Sequence, residues 1–136
     1  MSDNNAYRIK TDPDPYEAFK IAQAYRVGNL IFVSGQAAID MEGNLVGAGD
    51  FDAQAAQVFA NLKAVLEAGG SSMAQIVKVN IYLTDMANFP KIVELREAHF
   101  TAPYPADTIC EVSSLALPEL MIEIEATALV KGEITG

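Results

Sequence analysis

The C-terminal segment from Leu120 to Leu129 alternates in a way that suits a β-strand with two different faces. Every second residue is apolar, namely Leu120, Ile122, Ile124, Ala126 and Ala128. The residues between them form a mixed set, namely Met121, Glu123, Glu125, Thr127 and Leu129. Because side chains alternate across a strand, the apolar face predicts contact with helices in a core. We interpret the other, amphipathic face as a subunit interface more than a water-exposed surface.

Two helices are predicted upstream of this strand. The first carries an apolar stripe at helical spacing, formed by Val58, Leu62, Val65 and Leu66. Asp52 is its candidate N-cap, and Gly69-Gly70 ends it with a residue suited to a left-handed cap. The second helix has Asn88 as candidate cap and Pro90 in its first turn. Its predicted apolar side consists of Phe89, Ile92, Leu95 and Ala98.

The remaining regular segments read as strands. Residues 24–27 and 29–34 are separated by Gly28, and the second is apolar on both faces, so we expect it to be central and buried on both sides. Gly43-Asn44 predicts a hairpin-like return through Leu45-Val46. Apolar residues alternate with polar ones in a later strand, at Val77, Val79, Ile81 and Leu83. With a strand near 105–112, the order predicts an α+β fold, a mixed β-sheet with two helices on one face.

Composition restricts the classes of protein to consider. The 136 residues suit one domain, 1–136, with residues 1–5 as a flexible tail. A net charge of −9 without a basic run argues against nucleic-acid and anionic-membrane partners. A single cysteine fits a cytoplasmic protein, and the polar N-terminus does not read as a signal peptide. One His and one Cys cannot form a common zinc site, so we expect no metal.

Two motifs together resemble the Rid family, the reactive intermediate deaminases also known as YjgF or L-PSP-like proteins. They are the run from Gly28 to Gln36 and the pair Pro105-Ala106 with Ile122-Glu123-Ile124-Glu125-Ala126. The resemblance extends over about residues 20–130. It implies a chorismate-mutase-like fold, a homotrimer, and ligand clefts between subunits. It also implies hydrolysis of enamines and imines to keto acids and ammonia, without a cofactor.

The resemblance assigns roles to particular positions. The family carboxylate thought to activate water falls at Glu123, and the strand-end residues Ser34 and Gly35 are retained. The family arginine, which pairs with a substrate carboxylate, falls at Asp107 instead. The other substrate-binding positions hold apolar residues: Ile21 for a tyrosine, Val93 for an asparagine, and Ile109 for a cysteine.

Glu123 and Glu125 are the strongest candidates for chemistry on residue type alone. Two residues apart on a strand, they share a face at a distance of about 6.6–6.8 Å. Partial burial of such a pair raises at least one pKa, which suits a general base that returns its proton to leaving ammonia. The alternative is an interface pair bonded to cations or backbone N–H groups. The resemblance to the Rid family favours Glu123 for the catalytic role, and we assign a mostly structural role to Glu125.

Asp107 has three interpretations, because a carboxylate repels a carboxylate ligand. The ligand is cationic or neutral, another cation such as Arg96 or His99 replaces the arginine, or Asp107 bonds a turn after Pro105. His99 near a helix end is expected to be structural, with a protonated ring favoured by the helix dipole. Cys110 is expected to lie in the core.

Our leading hypothesis is an enzyme that hydrolyses a small enamine or imine lacking the usual α-carboxylate. Glu123 would activate water held by backbone groups near Ile109, and Ser34 and Asp107 would shape the site. The first alternative is a non-catalytic trimer that binds a small molecule. The second, endoribonuclease activity, is disfavoured by the negative charge.

Overall fold

The computed structural model describes residues 3–136 and shows a six-stranded mixed sheet with two α-helices. The strands are β1 Ala6–Ile9, β2 Ala24–Val27, β3 Leu30–Gln36, β4 Ile76–Leu83, β5 Ala106–Glu111 and β6 Ile122–Leu129. The helices are α1 Phe51–Ala68 and α2 Phe89–His99. The strand order is β1-β2-β3-β6-β4-β5. Only β4 and β5 pair in parallel, and the other neighbours are antiparallel, so the predicted α+β fold class is confirmed.

Both helices contribute to a single core on one side of the sheet. The predicted stripe of α1 is fully buried there, and Ile92 anchors α2 with only 1% of its surface exposed. Along β6, burial alternates as the sequence predicts, with Ile122 and Ile124 completely buried. Burial of these aliphatic side chains supplies about 1.5–3 kcal/mol each, so this layer is the main source of stability.

The cap of α1 differs from the prediction. Asp50, not Asp52, is the N-cap, and its Oδ1 accepts a hydrogen bond from the backbone N–H of Ala53 at 3.1 Å. Asp52 lies in the first turn and forms an ion pair with Lys91 at 3.2 Å. At the other end, Gly70 adopts a φ of +82° directly after the helix, as predicted for a left-handed cap.

The second helix is also corrected at its start and on its apolar side. Asn88 occupies the N-cap position of α2 but its side chain makes no capping hydrogen bond. Asp85 instead caps a short 3₁₀ turn that leads into the helix. Phe89 and Ala98 are exposed, because a helix of this length contacts the sheet chiefly through Ile92.

Strand β3 is central, as predicted, but it is not buried on both faces within one chain. Ile31 and Val33 point into the core, whereas Phe32 is 48% exposed and Leu30 36% exposed. Both α-helices lie on the same side of the sheet, so no α-helix within residues 3–136 covers the opposite side. We call that opposite side the open face.

Strand β4 departs from simple alternation near its start. The register of β4 against β6 shifts between Ile76 and Lys78, so Ile76 is buried in place of the predicted Val77. The turn at Gly43-Asn44 is as predicted, with a bridge between Ile39 and Leu45. Strand β1 was not predicted, because only Ile9 of its four residues is buried.

Residues 1 and 2 of the predicted tail lie outside the described residues. None of the helices in residues 3–136 is long and apolar enough to cross a membrane.

Candidate functional site

A cavity of about 560 Å³ lies around the carboxylate of Glu123 on the open face. Three parts of the chain line it: the loop before β2, the end of β3, and the loop leading into β6. The lining residues are Tyr16, Phe19, Ile21, Ser34, Gly35, Ala37, Ile39, Ala116, Leu117, Leu120 and Glu123. We refer to it as the Glu123 cavity. It brings together Ile21, Ser34 and Glu123, which are distant in sequence.

Glu123 is positioned by the strand and by the absence of a side chain opposite it. Its neighbours Ile122 and Ile124 are locked in the core, so Glu123 must point to the open face. Gly35 lies against the carboxylate, and a Cβ built on Gly35 would lie 2.8 Å from Glu123 Cδ. Burial raises the pKa of Glu123, and the charge of Glu125 adds to the rise. A carboxylate in this state is suited to accept and return a proton.

Tyr16 is a residue of this cavity that sequence reasoning missed. Its hydroxyl donates to the carbonyl oxygen of Gly35 at 2.5 Å, and the backbone N–H of Ala37 lies near the phenolic oxygen and acts to lower its pKa. Burial raises the pKa of Tyr16 to about 12, and the charge of Glu123 contributes to the rise. The loop of X-Pro pairs before Tyr16 carries no periodicity, so the sequence contains no signal of where this side chain points.

Ser34 and Ile21 complete the predicted part of the cavity. Ser34 Oγ donates a hydrogen bond to the carbonyl oxygen of Ala22 at 2.6 Å, which ties the end of β3 to the start of β2. Ile21 is 48% exposed in the wall of the cavity. The site is therefore a mostly apolar recess with one carboxylate.

Glu125 lies on the same face as Glu123 but outside the cavity lining. It accepts a short hydrogen bond from the hydroxyl of Tyr82, and this bond is the main reason that the pKa of Tyr82 is raised to about 12. The two glutamates therefore have different environments. Glu123 is the one directed into a cavity.

Asp107 belongs to a second cavity of about 500 Å³, between α2 and the start of β5. Its two carboxylate oxygens accept hydrogen bonds from Arg96, from Nε at 2.9 Å and from Nη2 at 3.1 Å. Of the interpretations left open by the sequence, bonding to the turn after Pro105 is not what the structure shows. Val93 lines this second cavity with Arg96 and Asp107, so the predicted substrate-binding residues fall into two groups within one chain.

The other candidates lie outside both cavities. Ile109 packs against the core, half-buried, and lines neither cavity of the chain. Cys110 was expected in the core and is exposed, because it alternates with Ile109 and points to the open face. His99 stacks on Phe59 with ring centroids 4.1 Å apart, and burial lowers its pKa, contrary to the expected effect of the helix dipole. Within residues 3–136, no group of three or more His, Cys, Asp or Glu side chains is placed to hold a metal ion.

The fold and the cavity define a small α+β protein with a carboxylate-bearing recess on an uncovered sheet face. Comparison with known proteins places it more closely. Residues 10–130 match the family model described as Endoribonuclease L-PSP, and the chain belongs to this family, the Rid or YjgF family.

Curated relatives match almost the whole chain. A RutC family protein of Pyrococcus abyssi is 40% identical over 120 residues, covering 88% of this chain and 94% of the relative. A protein of Dermatophagoides farinae named 2-iminobutanoate/2-iminopropanoate deaminase is 33% identical over 123 residues, covering 90% and 95%.

Solved structures agree with the observed architecture. RidA from the Antarctic bacterium Psychrobacter sp. PAMC 21119 superposes with a TM-score of 0.81 at 38% identity, covering 89% of this chain and 97% of that chain. The structure titled yeast Mmf1 superposes with a TM-score of 0.85 at 34% identity, covering 93% and 100%. The expected YjgF-like fold is confirmed.

Proposed function

We propose that this protein hydrolyses the C=N bond of a small enamine- or imine-type metabolite, with Glu123 as the general base. The observation that carries the proposal is the half-buried Glu123 carboxylate, which has a raised pKa and faces a cavity opposite Gly35. A relative that is 33% identical bears the name of an imine deaminase, which supports this reaction type.

The proposed reaction balances with water as the only co-reactant. An enamine first tautomerises to its imine. Glu123 takes a proton from water while the water oxygen bonds to the imine carbon, and it passes that proton to the nitrogen, which gives a neutral carbinolamine. Glu123 then takes the proton of the carbinolamine hydroxyl and delivers it to the nitrogen, so the C–N bond breaks and ammonia leaves as the carbonyl forms. A carboxyl with a raised pKa suits both transfers because it binds the proton for one step and releases it in the next.

The substrate is proposed to lack the α-carboxylate of the usual 2-imino acids. Within residues 3–136, no cationic side chain lines the Glu123 cavity, and Glu123 itself repels an anion. Arg96 lines the second cavity, but its charge is already paired with Asp107. A second carboxylate would have to compete with a bidentate bond that is already formed.

We further propose a homotrimer with ligand clefts between subunits. The open face exposes Tyr25, Leu30 and Phe32 beside polar strand residues, which suits contact with another copy of the chain. In such an assembly, the Glu123 cavity of one subunit and the Asp107 cavity of the next are proposed to form one cleft. Val93, Ile109 and Asp107 would then contact a substrate from the neighbouring side.

The steady-state rate of imine hydrolysis tests the proposal directly. The imine substrates are generated in situ. Oxidation of an amino acid gives the carboxylated imine, and oxidation of a primary amine gives the uncarboxylated one. We expect wild-type protein to accelerate loss of the uncarboxylated imine, and Glu123→Gln to lose most of that acceleration. Glu125→Gln is the matched control because it changes the same residue type on the same strand face. If wild type does not exceed the uncatalysed rate on either imine, the protein is not a deaminase of this kind.

The non-catalytic alternative is a trimer that binds a small molecule through the same cavity. It is favoured if a ligand binds in the Glu123 cavity while every imine tested hydrolyses at the uncatalysed rate. RNA cleavage is the least favoured function. If the protein binds no RNA at low salt, where electrostatic binding is strongest, this function is excluded.

A further inference from the structure

The two hydroxyl groups in the lining of the Glu123 cavity already donate hydrogen bonds to backbone carbonyl oxygens. Of the described residues that line it, only Tyr16 and Ser34 have side chains that carry an O–H or N–H group when Glu123 is ionised. The Tyr16 hydroxyl donates to Gly35 O at 2.5 Å, and Ser34 donates to Ala22 O at 2.6 Å. Each hydroxyl has only one proton to donate. No side chain in the lining is therefore left to donate a hydrogen bond to a ligand.

Hydrogen-bond acceptors in the lining, in contrast to the donors, remain available to a ligand. The Glu123 carboxylate hydrogen-bonds no side chain or backbone group in residues 3–136, and its acceptor positions are open to the cavity. Ser34 Oγ retains lone pairs, since its only hydrogen bond is the one that it donates. Tyr16 contributes less, because the backbone N–H of Ala37 already lies near its oxygen. What remains is one charged and one neutral acceptor in an otherwise apolar wall.

A ligand that complements this wall has a specific chemical character. It needs N–H groups to hydrogen-bond the acceptors, because a ligand that displaces water from the half-buried Glu123 carboxylate must replace the lost hydrogen bonds. It needs a positive charge to balance Glu123, since no lysine, arginine or histidine among residues 3–136 lines the cavity and the charge of Arg96 in the second cavity is paired with Asp107. It needs an apolar substituent to cover Phe19, Ile39 and Leu117. An uncharged imine meets only part of this requirement, and a carboxylate head group supplies neither the N–H donors nor the positive charge.

We infer that the Glu123 cavity recognises a protonated nitrogen attached to a branched apolar group, as in an iminium, ammonium or amidinium ion. The inference deepens the proposed function, on which it rests for identifying the bound nitrogen with the one that leaves. A protonated imine is also the form whose carbon water attacks most readily. Addition of water then needs only one proton removed by Glu123, because the C=N electron pair moves onto the cationic nitrogen.

The test is a binding experiment that needs no turnover. The full chain is titrated near pH 8 with 3-methylbutylammonium, with 3-methylbutan-1-ol and with 4-methylpentanoate, and binding is followed by NMR. These probes share a branched apolar end and differ in the charge and donors of the head group. An alkylammonium, like lysine with its pKa of about 10.4, stays cationic at this pH. We expect the ammonium to bind about tenfold to a hundredfold more tightly than the alcohol, as for a charged hydrogen bond.

Two variants assign the effect to the cavity. Glu123→Gln keeps the side-chain size, removes the charge and should abolish the preference for the ammonium. Glu125→Gln removes a nearby charge outside the cavity and should leave the preference within about twofold. Equal or tighter binding of 4-methylpentanoate overturns the inference. So does ammonium binding that Glu123→Gln leaves unchanged, or no ammonium binding at all.

The same data separate this inference from the deaminase proposal. Selective ammonium binding that depends on Glu123, without hydrolysis of any imine, supports the inference and refutes the reaction. Hydrolysis of carboxylated imines with no ammonium preference supports the reaction and overturns the inference.

Discussion

Gly35 and Glu123 are packed so closely that a methyl group on the glycine would occupy space now filled by the carboxylate. A Cβ at Gly35 would lie 2.8 Å from Glu123 Cδ and nearer still to Oε2. The obstructing atoms belong to the end of a flexible side chain, so the protein can adapt by turning the carboxylate away. Gly35 is therefore needed for the orientation of the Glu123 carboxylate more than for folding of the chain.

We accordingly expect Gly35→Ala to fold but to lose activity. A displaced carboxylate should lower imine hydrolysis about tenfold or more, equivalent to about 1.4 kcal/mol in the barrier. Combining Gly35→Ala with Glu123→Gln should cost little beyond Glu123→Gln alone, because both changes act on one group. Fully additive losses in rate would show that Gly35 acts independently of Glu123.

The raised pKa of Glu123 predicts a pH-dependent stability. Since the folded pKa lies above the unfolded one, the folded state binds this proton more tightly, and its contribution is fully present below the unfolded pKa. That contribution is lost as pH rises through the folded pKa. Glu123→Gln should therefore gain in unfolding free energy relative to wild type as pH rises across that window. Urea denaturation of both proteins at several pH values measures the difference, and a gap that stays constant contradicts the prediction.

Because Arg96 pairs with Asp107, the choice of residue substituted for Asp107 decides whether the second cavity gains a free positive charge. Asp107→Arg would place two guanidinium groups together, whereas Asp107→Ala frees Arg96 and makes the second cavity cationic. The pair is partly buried, with 26% and 17% of the two side chains exposed, so its loss should cost about 1 kcal/mol of stability. We expect Asp107→Ala to gain activity on imines that carry an α-carboxylate.

Arg96→Met/Asp107→Ala is the control for that gain. It removes the same ion pair but leaves no free cation, so it should not acquire activity on carboxylated imines. If both variants gain equally, the enlarged cavity and not the released charge is responsible.

The parts of the fold that follow a strict period were accessible from the sequence. Alternation in β6 placed Glu123 on the open face, and the stripe of α1 placed Leu62 in the core. Contacts between an irregular loop and a strand end have no such period. For that reason the bond from Tyr16 to Gly35 was missed, and Asp50 was passed over as a cap in favour of Asp52.

The face of β3 illustrates a different limit. An apolar residue such as Phe32 indicates that something covers it, but not whether the cover is a helix of the same chain or another subunit. The 48% exposure of Phe32 shows that residues 3–136 leave it largely uncovered. Pairing of Asp107 with Arg96 was likewise inaccessible, because it depends on how the turn between α2 and β5 folds back.

Tyr16→Phe should destabilise the protein without unfolding it. The variant leaves the carbonyl of Gly35 without its donor in a partly buried setting, at a cost of about 1 kcal/mol. Tyr104→Phe is a matched control, because Tyr104 is 48% exposed and its hydroxyl makes no side-chain hydrogen bond in residues 3–136. Urea midpoints should shift for the first variant only. Equal midpoints for Tyr16→Phe and wild type would mean that the Gly35 bond contributes nothing to stability.

Phe32→Glu should dissociate the proposed trimer. Phe32 lies on the open face, and burying a carboxylate without a partner costs far more than a phenylalanine gains there. The core is untouched, since Ile31 and Val33 point the opposite way, so the helical circular dichroism should persist. Ala60→Glu adds the same charge to the exposed side of α1 and should leave the assembly intact. Light scattering with size-exclusion chromatography gives the mass of each variant. A wild-type mass of 14.6 kDa, that of one chain, would contradict the assembly from the outset.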